Sequence, residues 1–406
     1  SRGARGAMPG LENWRVRWAL LGALALVGAV IALAASVRAA PTDTGIFATR
    51  ARSAVLMDGD TGAILFQHNA DELLPPASVT KLMTLEIAFQ AIKDNRLKLD
   101  DDCTMSVHAW KTGGAPSRTS SMFVPVNKTA KVEELIRGMI VQSANDAAIA
   151  LAECMAGTED NFAKRMNVEG KKIGLTRSVF KNPSGLFDPD HVMNAREIGK
   201  LAYYIIKTHP EFYKYFSEKE FAYSKFKFRN RNPLLFADIG ADGLKTGQLK
   251  ESGFHLVGSA VQGDKRLIAV VMGLPSPEQG GAEAQRLLDW GFKAFAPFKL
   301  FDDGEIVSRA RVWGGQSFYV PVTGKGPIMV ILPRVPVNPK LKAEITYAGP
   351  LKPPIKKGDR VATLRVTSPT GSVNEVPLYA AEDVESGGIM RRGLDSLAHL
   401  AFGWVL

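Results

Sequence analysis

The apolar and polar positions of this chain fall into four textures, each predicting a different element. Residues 18–35 form an apolar run behind Arg2, Arg5, Arg15 and Arg17, with small residues at Val37-Arg38-Ala39. A basic flank, an apolar stretch and a small-residue exit predict a secretory signal peptide over residues 1–39. The alternative is an uncleaved membrane helix, for which the run is near the lower limit of length. A mixed region follows over residues 40–300. Ala54-Val55-Leu56-Met57-Asp58 predicts a strand. Leu82, Leu85, Phe89 and Ile92 recur at helical spacing, as do Leu135, Ile136, Met139 and Ile140, then Ala147, Ala148, Leu151 and Ala152. Residues 254–261 and 267–272, joined by a Gly-Asp-Lys turn, predict adjacent antiparallel strands.

From Phe301 the texture changes again. Short alternating runs at 318–322, 328–332, 344–347 and 361–366, parted by Gly, Pro and Lys, predict a small all-β domain over residues 301–385. No catalytic cluster falls within it, so a spacer or protein-contact role is expected. In the tail, residues 386–406, Met390, Leu394, Leu397, Ala401 and Trp404 share one helical face, with Arg391, Arg392, Asp395 and His399 elsewhere. An apolar stripe beside Arg predicts an amphipathic helix lying on a membrane. The alternative is a helix packed on the β domain, but the hinge Ser386-Gly387-Gly388 favours a free anchor.

Composition narrows the partners. The chain has 406 residues, 46% of them hydrophobic, enough for more than one core. Its net charge is +10, and residues 1–39 hold five Arg and one Glu, so the remainder carries about +6. A mild positive excess suits an anionic membrane surface or a polyanionic cell wall. No basic stripe with interleaved aromatics is present, so no nucleic acid is expected. Two cysteines, Cys103 and Cys154, can form one bridge but no disulfide framework. Cys154 falls on the apolar side of a helical pattern and is expected to be a buried thiol. The six histidines form no H-E-x-x-H or Cys/His cluster, so neither a metal nor another cofactor is expected.

Three short motifs carry the chemistry: Ser78-Val79-Thr80-Lys81, Ser143-Ala144-Asn145 and Lys245-Thr246-Gly247. Their order matches the S-x-x-K, S-D-N and K-T-G set of serine acyl-transfer enzymes. Each alone is weak. S-x-x-K recurs at Ser178–Lys181 and Ser224–Lys227, S-x-N at Ser372–Asn374, and K-T-G at Lys111–Gly113. Context separates them. Ser78 follows Pro75-Pro76-Ala77 and opens a helical pattern, which places Lys81 one turn on and on the same face. Ser143 and Asn145 lie at a junction of two helical patterns, where a turn can aim both at a cleft. Lys245 precedes a predicted strand pair. Lys111 is followed by Gly-Ala-Pro-Ser, reads as a loop, and precedes the S-x-N motif.

At these residues the chain resembles the low-molecular-mass penicillin-binding proteins of the D-alanyl-D-alanine carboxypeptidase type. The resemblance extends to Ala54–Asp58 with Gly62, Leu135–Met139, Asn182-Pro183-Ser184-Gly185-Leu186, Asn194–Glu197, Asn230-Arg231-Asn232 and Leu287–Phe292, covering roughly residues 45–384. It implies an α+β fold: a penicillin-binding, serine β-lactamase-like transpeptidase domain, with an antiparallel sheet and helices on both faces. It also implies removal of the terminal D-alanine from peptidoglycan stem pentapeptides, with β-lactam antibiotics as inhibitors. Ser78 would be the nucleophile, Lys81 the general base and Ser143 a proton relay. Asn145, Lys245, Thr246, Gly247 and Gln248 would bind substrate, with the Gln248 N–H in the oxyanion hole. Two departures stand out. Gln248 replaces the His of many relatives, and Gln279-Gly280-Gly281-Ala282 replaces a region where many carry an Arg. The substrate carboxylate would then fall to Arg196 or to Lys245 with Thr246. The implied location is the periplasm, attached to the outer face of the inner membrane. Rival readings on the same fold are a DD-endopeptidase, a weak β-lactamase, and a non-catalytic cell-wall binding protein. The loop at 182–190 carries no Glu for fast deacylation of a β-lactam.

Overall fold

The computed structural model describes residues 47–334, 341–369 and 371–388. The expected signal peptide and the amphipathic tail beyond Gly388 lie outside the described residues. Among the described residues no helix is long and apolar enough to cross a membrane.

Five antiparallel strands form the catalytic sheet: β1 (Ser53–Asp58), β2 (Ile64–His68), β3 (Ala241–Leu249), β4 (Gly253–Gln262) and β5 (Lys265–Leu274). Their order is β2-β1-β5-β4-β3, which leaves β3 at an edge. Side chains alternate across a sheet, so each strand serves two cores. Val55 and Met57 of β1 face one hydrophobic cluster, while Ala54 and Leu56 face the other. The first cluster is covered by helices α1 (Lys81–Lys93), α4 (Asn145–Ala156), α5 (Glu159–Ile173) and α6 (Ala195–Thr208). They follow the shorter α2 (Val107–Gly113) and α3 (Val132–Arg137). The second is covered by α7 (Pro277–Ala294), through Ala284, Leu287 and Leu288. This is the expected α+β arrangement, with helices on both faces of an antiparallel sheet.

Helix α1 is the central element. Leu82, Leu85 and Phe89 are fully buried as their spacing predicts, but so are Met83, Ala88 and the motif residue Lys81. A helix buried around its circumference needs no polar face. Its first residue is therefore a lysine held out of water.

An all-β unit follows α7. Strand Phe295–Phe301, expected within the catalytic domain, instead pairs with Ile328–Pro333. Helix α7 runs directly into it, and Trp290 packs edge-on against Phe295 at 5.1 Å. Strands Tyr319–Thr323, Arg360–Thr367 and Val373–Ala380 supply a core through Val320, Val322, Leu364, Val366 and Leu378. The unit meets the catalytic sheet where Val373 pairs with Ile64 and Gln67 Nε2 donates to the Gly371 carbonyl at 3.0 Å.

Cys154 is not a buried thiol. It is bonded to Cys103, with Cα atoms 5.6 Å apart, and is itself exposed. The last turn of α4 runs past the core that buries Ala147, Ala148 and Leu151, and meets the short strand Asp102–Thr104. The bridge closes a loop of 51 residues. The Cys103→Ser, Cys154→Ser pair is expected to lose about 2–4 kcal/mol of stability, mostly through the freed unfolded chain. A lower urea midpoint under oxidising conditions would show it, and an unchanged midpoint would mean the bridge adds nothing.

Candidate active site

Ser78 lies in a 3-10 turn, Ala77–Thr80, that leads straight into α1. Lys81 begins the helix, so the two side chains stand one turn apart. The Lys81 Nζ lies 2.8 Å from Ser78 Oγ, 2.6 Å from Asn145 Oδ1 and 2.7 Å from the Ser184 carbonyl. Two backbone features aim these groups. Ala77, just before the nucleophile, has φ +52°. Ser143 has φ 59° and ψ 33°, after a π-helical turn at Gly138–Gln142. Left-handed conformations at non-glycine residues cost of order 1–3 kcal/mol and are retained where surrounding structure fixes them. Here they turn Ser143 inward and allow Asn145 to begin α4.

Strand β3 closes the other side. Lys245 Nζ donates to Ser143 Oγ at 2.9 Å and to the Thr246 carbonyl at 3.0 Å. Gly247 lies flat on the nucleophile turn. A Cβ there would sit 3.0 Å from the backbone nitrogens of Ser78 and Val79. The missing side chain is thus a packing requirement. It brings the edge strand beside the Ser78 N–H and sets the Gln248 backbone next to it. The loop at Asn182–Leu186 packs as closely. A Cβ on Gly185, which has φ +83°, would meet the Ala77 carbonyl at 1.9 Å.

Both lysines are perturbed. Lys81 is fully buried, and burial holds its pKa well below the usual value, with the charges of Lys245 and Arg231 pushing the same way and Asp146 opposing. Burial, then Arg231, brings Lys245 down to about 7. Desolvation disfavours the charged form of an amine, and like charges add to it.

The S-x-x-K, S-x-N and K-T-G residues therefore converge on one cleft. The other copies of these motifs do not. Ser178 is buried and donates to Glu197 at 2.6 Å. Ser224 lies in a hairpin turn, and the buried Ser372 donates to Ser368 at 2.6 Å. Lys111–Gly113 is the last turn of α2 rather than a loop. Arg196 is also elsewhere engaged. Its guanidinium donates to both oxygens of Asp71, at 2.7 and 2.9 Å, and to Gln67 at 2.7 Å. A helix start at Ala195 turns it toward β2, away from the Ser78 cluster. The Gln248 side chain is exposed.

Four groups at the cleft were not singled out by sequence. The Ser184 carbonyl touches Lys81. Arg231 donates to Ser120 Oγ at 2.7 Å, and the Ser120 carbonyl accepts from the Asn145 N–H at 2.7 Å. Thr119 Oγ1 accepts from Asn145 Nδ2 at 3.0 Å. Asp146 pins this segment by accepting from Ser121 Oγ and from the Met122 and Phe123 N–H groups. Two of them had a signal, Arg231 within Asn230-Arg231-Asn232 and Ser184 within Asn182-Pro183-Ser184-Gly185-Leu186.

With this geometry in view, the comparisons agree. Residues 37–276 match the D-alanyl-D-alanine carboxypeptidase family, and residues 295–386 match the C-terminal domain of penicillin-binding protein 5. The chain is 39% identical over 348 residues to D-alanyl-D-alanine carboxypeptidase DacC of Escherichia coli, covering 85% of this chain and 87% of that one. It superposes on penicillin-binding protein 5 of Haemophilus influenzae with a TM-score of 0.69 and 35% identity, over 84% of this chain and 99% of the other. Penicillin-binding protein D2 of Listeria monocytogenes, solved in an ampicillin-bound form, is 30% identical with a TM-score of 0.53, over 61% and 98%. Family match, relatives and cleft geometry lead to one assignment: the chain belongs to the D-alanyl-D-alanine carboxypeptidase family.

Proposed function

We propose that the cleft performs serine acyl transfer at a D-Ala-D-Ala peptide bond, releasing the terminal D-alanine of peptidoglycan stem peptides. The observation that carries this reading is the set of three contacts on Lys81. A neutral amine has two N–H donors and one lone pair. Asn145 Oδ1 and the Ser184 carbonyl can only accept, so they take both hydrogens. The lone pair then points at the Ser78 hydroxyl, 2.8 Å away. Burial and the neighbouring cations favour that neutral state. Lys81 is thus oriented as the general base.

Ser78 attacks the carbonyl carbon as its proton passes to Lys81. The backbone N–H groups of Ser78 and Gln248 receive the oxyanion, a type of contact worth about 3 kcal/mol each. The proton leaves through Ser143, whose Oγ already accepts from Lys245, to the departing D-alanine nitrogen. Lys245, Thr246 and Arg231 supply the positive potential and hydroxyl for the substrate carboxylate. Arg196, spent on Asp71, does not. Water then attacks the acyl-enzyme, with Lys81 again taking the proton. A β-lactam presents the same carbonyl and carboxylate and acylates Ser78. Incubation with a labelled penicillin, followed by intact mass and peptide mapping, tests the reading. One adduct on the peptide holding Ser78 is expected.

The same reading extends to location. Residues 1–39 would direct export, the all-β unit would lift the catalytic domain, and residues 386–406 would attach it to an anionic membrane. A chain ending at Glu385 is expected to retain D-alanine release and lose sedimentation with anionic vesicles. The cleft residues all precede residue 250, and the removed stripe carries Arg391 and Arg392. High salt should weaken attachment of the longer chain without full release, because apolar burial supplies most of it. If both forms stay in the supernatant, the tail is not an anchor.

A further inference from the structure

Asn145 presents two chemically opposite ends, a carbonyl that accepts and an amide that donates. Its Oδ1 faces Lys81 at 2.6 Å and its Nδ2 faces Thr119 Oγ1 at 3.0 Å. Beyond it the contacts continue. Thr119 Oγ1 lies 2.8 Å from Ser117 Oγ, which lies 2.7 Å from the Gly114 carbonyl. Each hydroxyl has one hydrogen. The Gly114 carbonyl can only accept, so the Ser117 hydrogen goes there. Ser117 Oγ is then an acceptor, as its 3.2 Å contact from the Thr119 N–H also requires. The Thr119 hydrogen goes to Ser117, and a Thr119 lone pair is left for Asn145. The chain of donors runs one way, from Asn145 to Gly114.

The opposite arrangement is the instructive one. If the Asn145 amide were reversed, Thr119 would donate to its oxygen and Ser117 to Thr119. The Ser117–Gly114 side-chain bond would be lost. The Asn145 NH2 would face Lys81. Against a charged Lys81 that sets donor against donor. Against a neutral Lys81 it occupies the lone pair that Ser78 needs. The two orientations of one amide thus correspond to a competent and an incompetent base.

We propose that Thr119, itself oriented by Ser117, is a positioning residue that fixes the Asn145 amide and through it directs the Lys81 lone pair at Ser78. The proposal rests on the reading of Lys81 as general base. Thr119 is not simply holding its loop. The Asn145 N–H bond to the Ser120 carbonyl, the Arg231 bond to Ser120 and the Asp146 contacts keep that segment in place without its hydroxyl.

The test is the rate of acylation by a fluorescent penicillin across pH, with the thermal midpoint, in wild type, Thr119→Val, Thr119→Ser and Ser117→Ala. A wild-type adduct at Ser78 checks the underlying reading separately. Thr119→Val is expected to acylate about tenfold more slowly, one hydrogen bond's worth. Its acid limb should move to lower pH, because an amide N–H on the Lys81 lone pair favours the neutral amine. Thr119→Ser should restore both rate and limb. Ser117→Ala, which does not touch Asn145, should shift the limb in the same direction by less. Wild-type behaviour in Thr119→Val or in Ser117→Ala would overturn the relay. So would a slower Thr119→Val with an unmoved limb and a lower midpoint, or a Thr119→Ser that fails to restore.

Discussion

Ser78→Ala is expected to abolish penicillin labelling and to cut D-alanine release by a factor on the order of 10⁴ or more, the scale seen when a nucleophile is removed from an assembled serine site. Ser78 is the hydroxyl 2.8 Å from a buried amine whose neutral form burial favours. Its backbone N–H also lies beside Gly247 of the edge strand, where the developing oxyanion needs donors. The other S-x-x-K serines offer neither feature. Ser178 already donates to Glu197, and Ser224 sits in a hairpin turn. Folding should survive, since the lost hydroxyl makes one contact and the remaining partners of Lys81 stay. The checks are intact mass after penicillin and a D-alanine assay on wild type and variant. A label that persists in Ser78→Ala, or that maps to Ser178 or Ser224, would sink the assignment.

What the sequence disclosed follows from how local each signal is. The start of α1 was legible because a Pro-Pro-Ala lead and four apolar residues at helical spacing act within one turn or two. The strand pair β4–β5 was legible because two short, mostly apolar runs flank a Gly-Asp-Lys turn. Contacts made across the fold were not. Arg196 has the chemistry to hold a carboxylate, but its partners Asp71 and Gln67 lie more than a hundred residues away. Nothing in its own neighbourhood reveals them. Cys154 looked buried because the apolar stripe of α4 continues through it, while full burial along the helix ends at Ala152. The Ser184 carbonyl is a backbone group, so no residue type could have marked it. Thr119 carries no pattern at all, and its meaning comes only from the amide it faces.

Lys245→Ala is expected to lose roughly 10²–10³ in the rate of acylation at neutral pH, the cost of removing one preorganised electrostatic contact, while Lys111→Ala stays near wild type. Lys245 is buried against Ser143, whereas Lys111 is exposed at the end of α2. The pH profile makes the comparison sharper. The charge of Lys245 helps to depress Lys81, after burial itself. Removing it should raise the Lys81 pKa, so the acid limb of the variant moves to higher pH. Lys245 has its own pKa near 7, so in wild type the two amines titrate as a pair, and the variant should show a single simpler limb. Stability supplies the control. The folded pKa of Lys245 lies below its unfolded value of 10.5, so protonating it opposes folding. That penalty is absent above 10.5, grows as pH falls, and is complete below about 7. The stability of Lys245→Ala relative to wild type should therefore rise over that window as pH falls, although its activity there is the lower of the two. Urea midpoints at several pH values and acylation rates on the same samples would show the opposition. Equal activity losses for Lys111→Ala and Lys245→Ala, or an acid limb that does not move, would place the working K-T-G elsewhere.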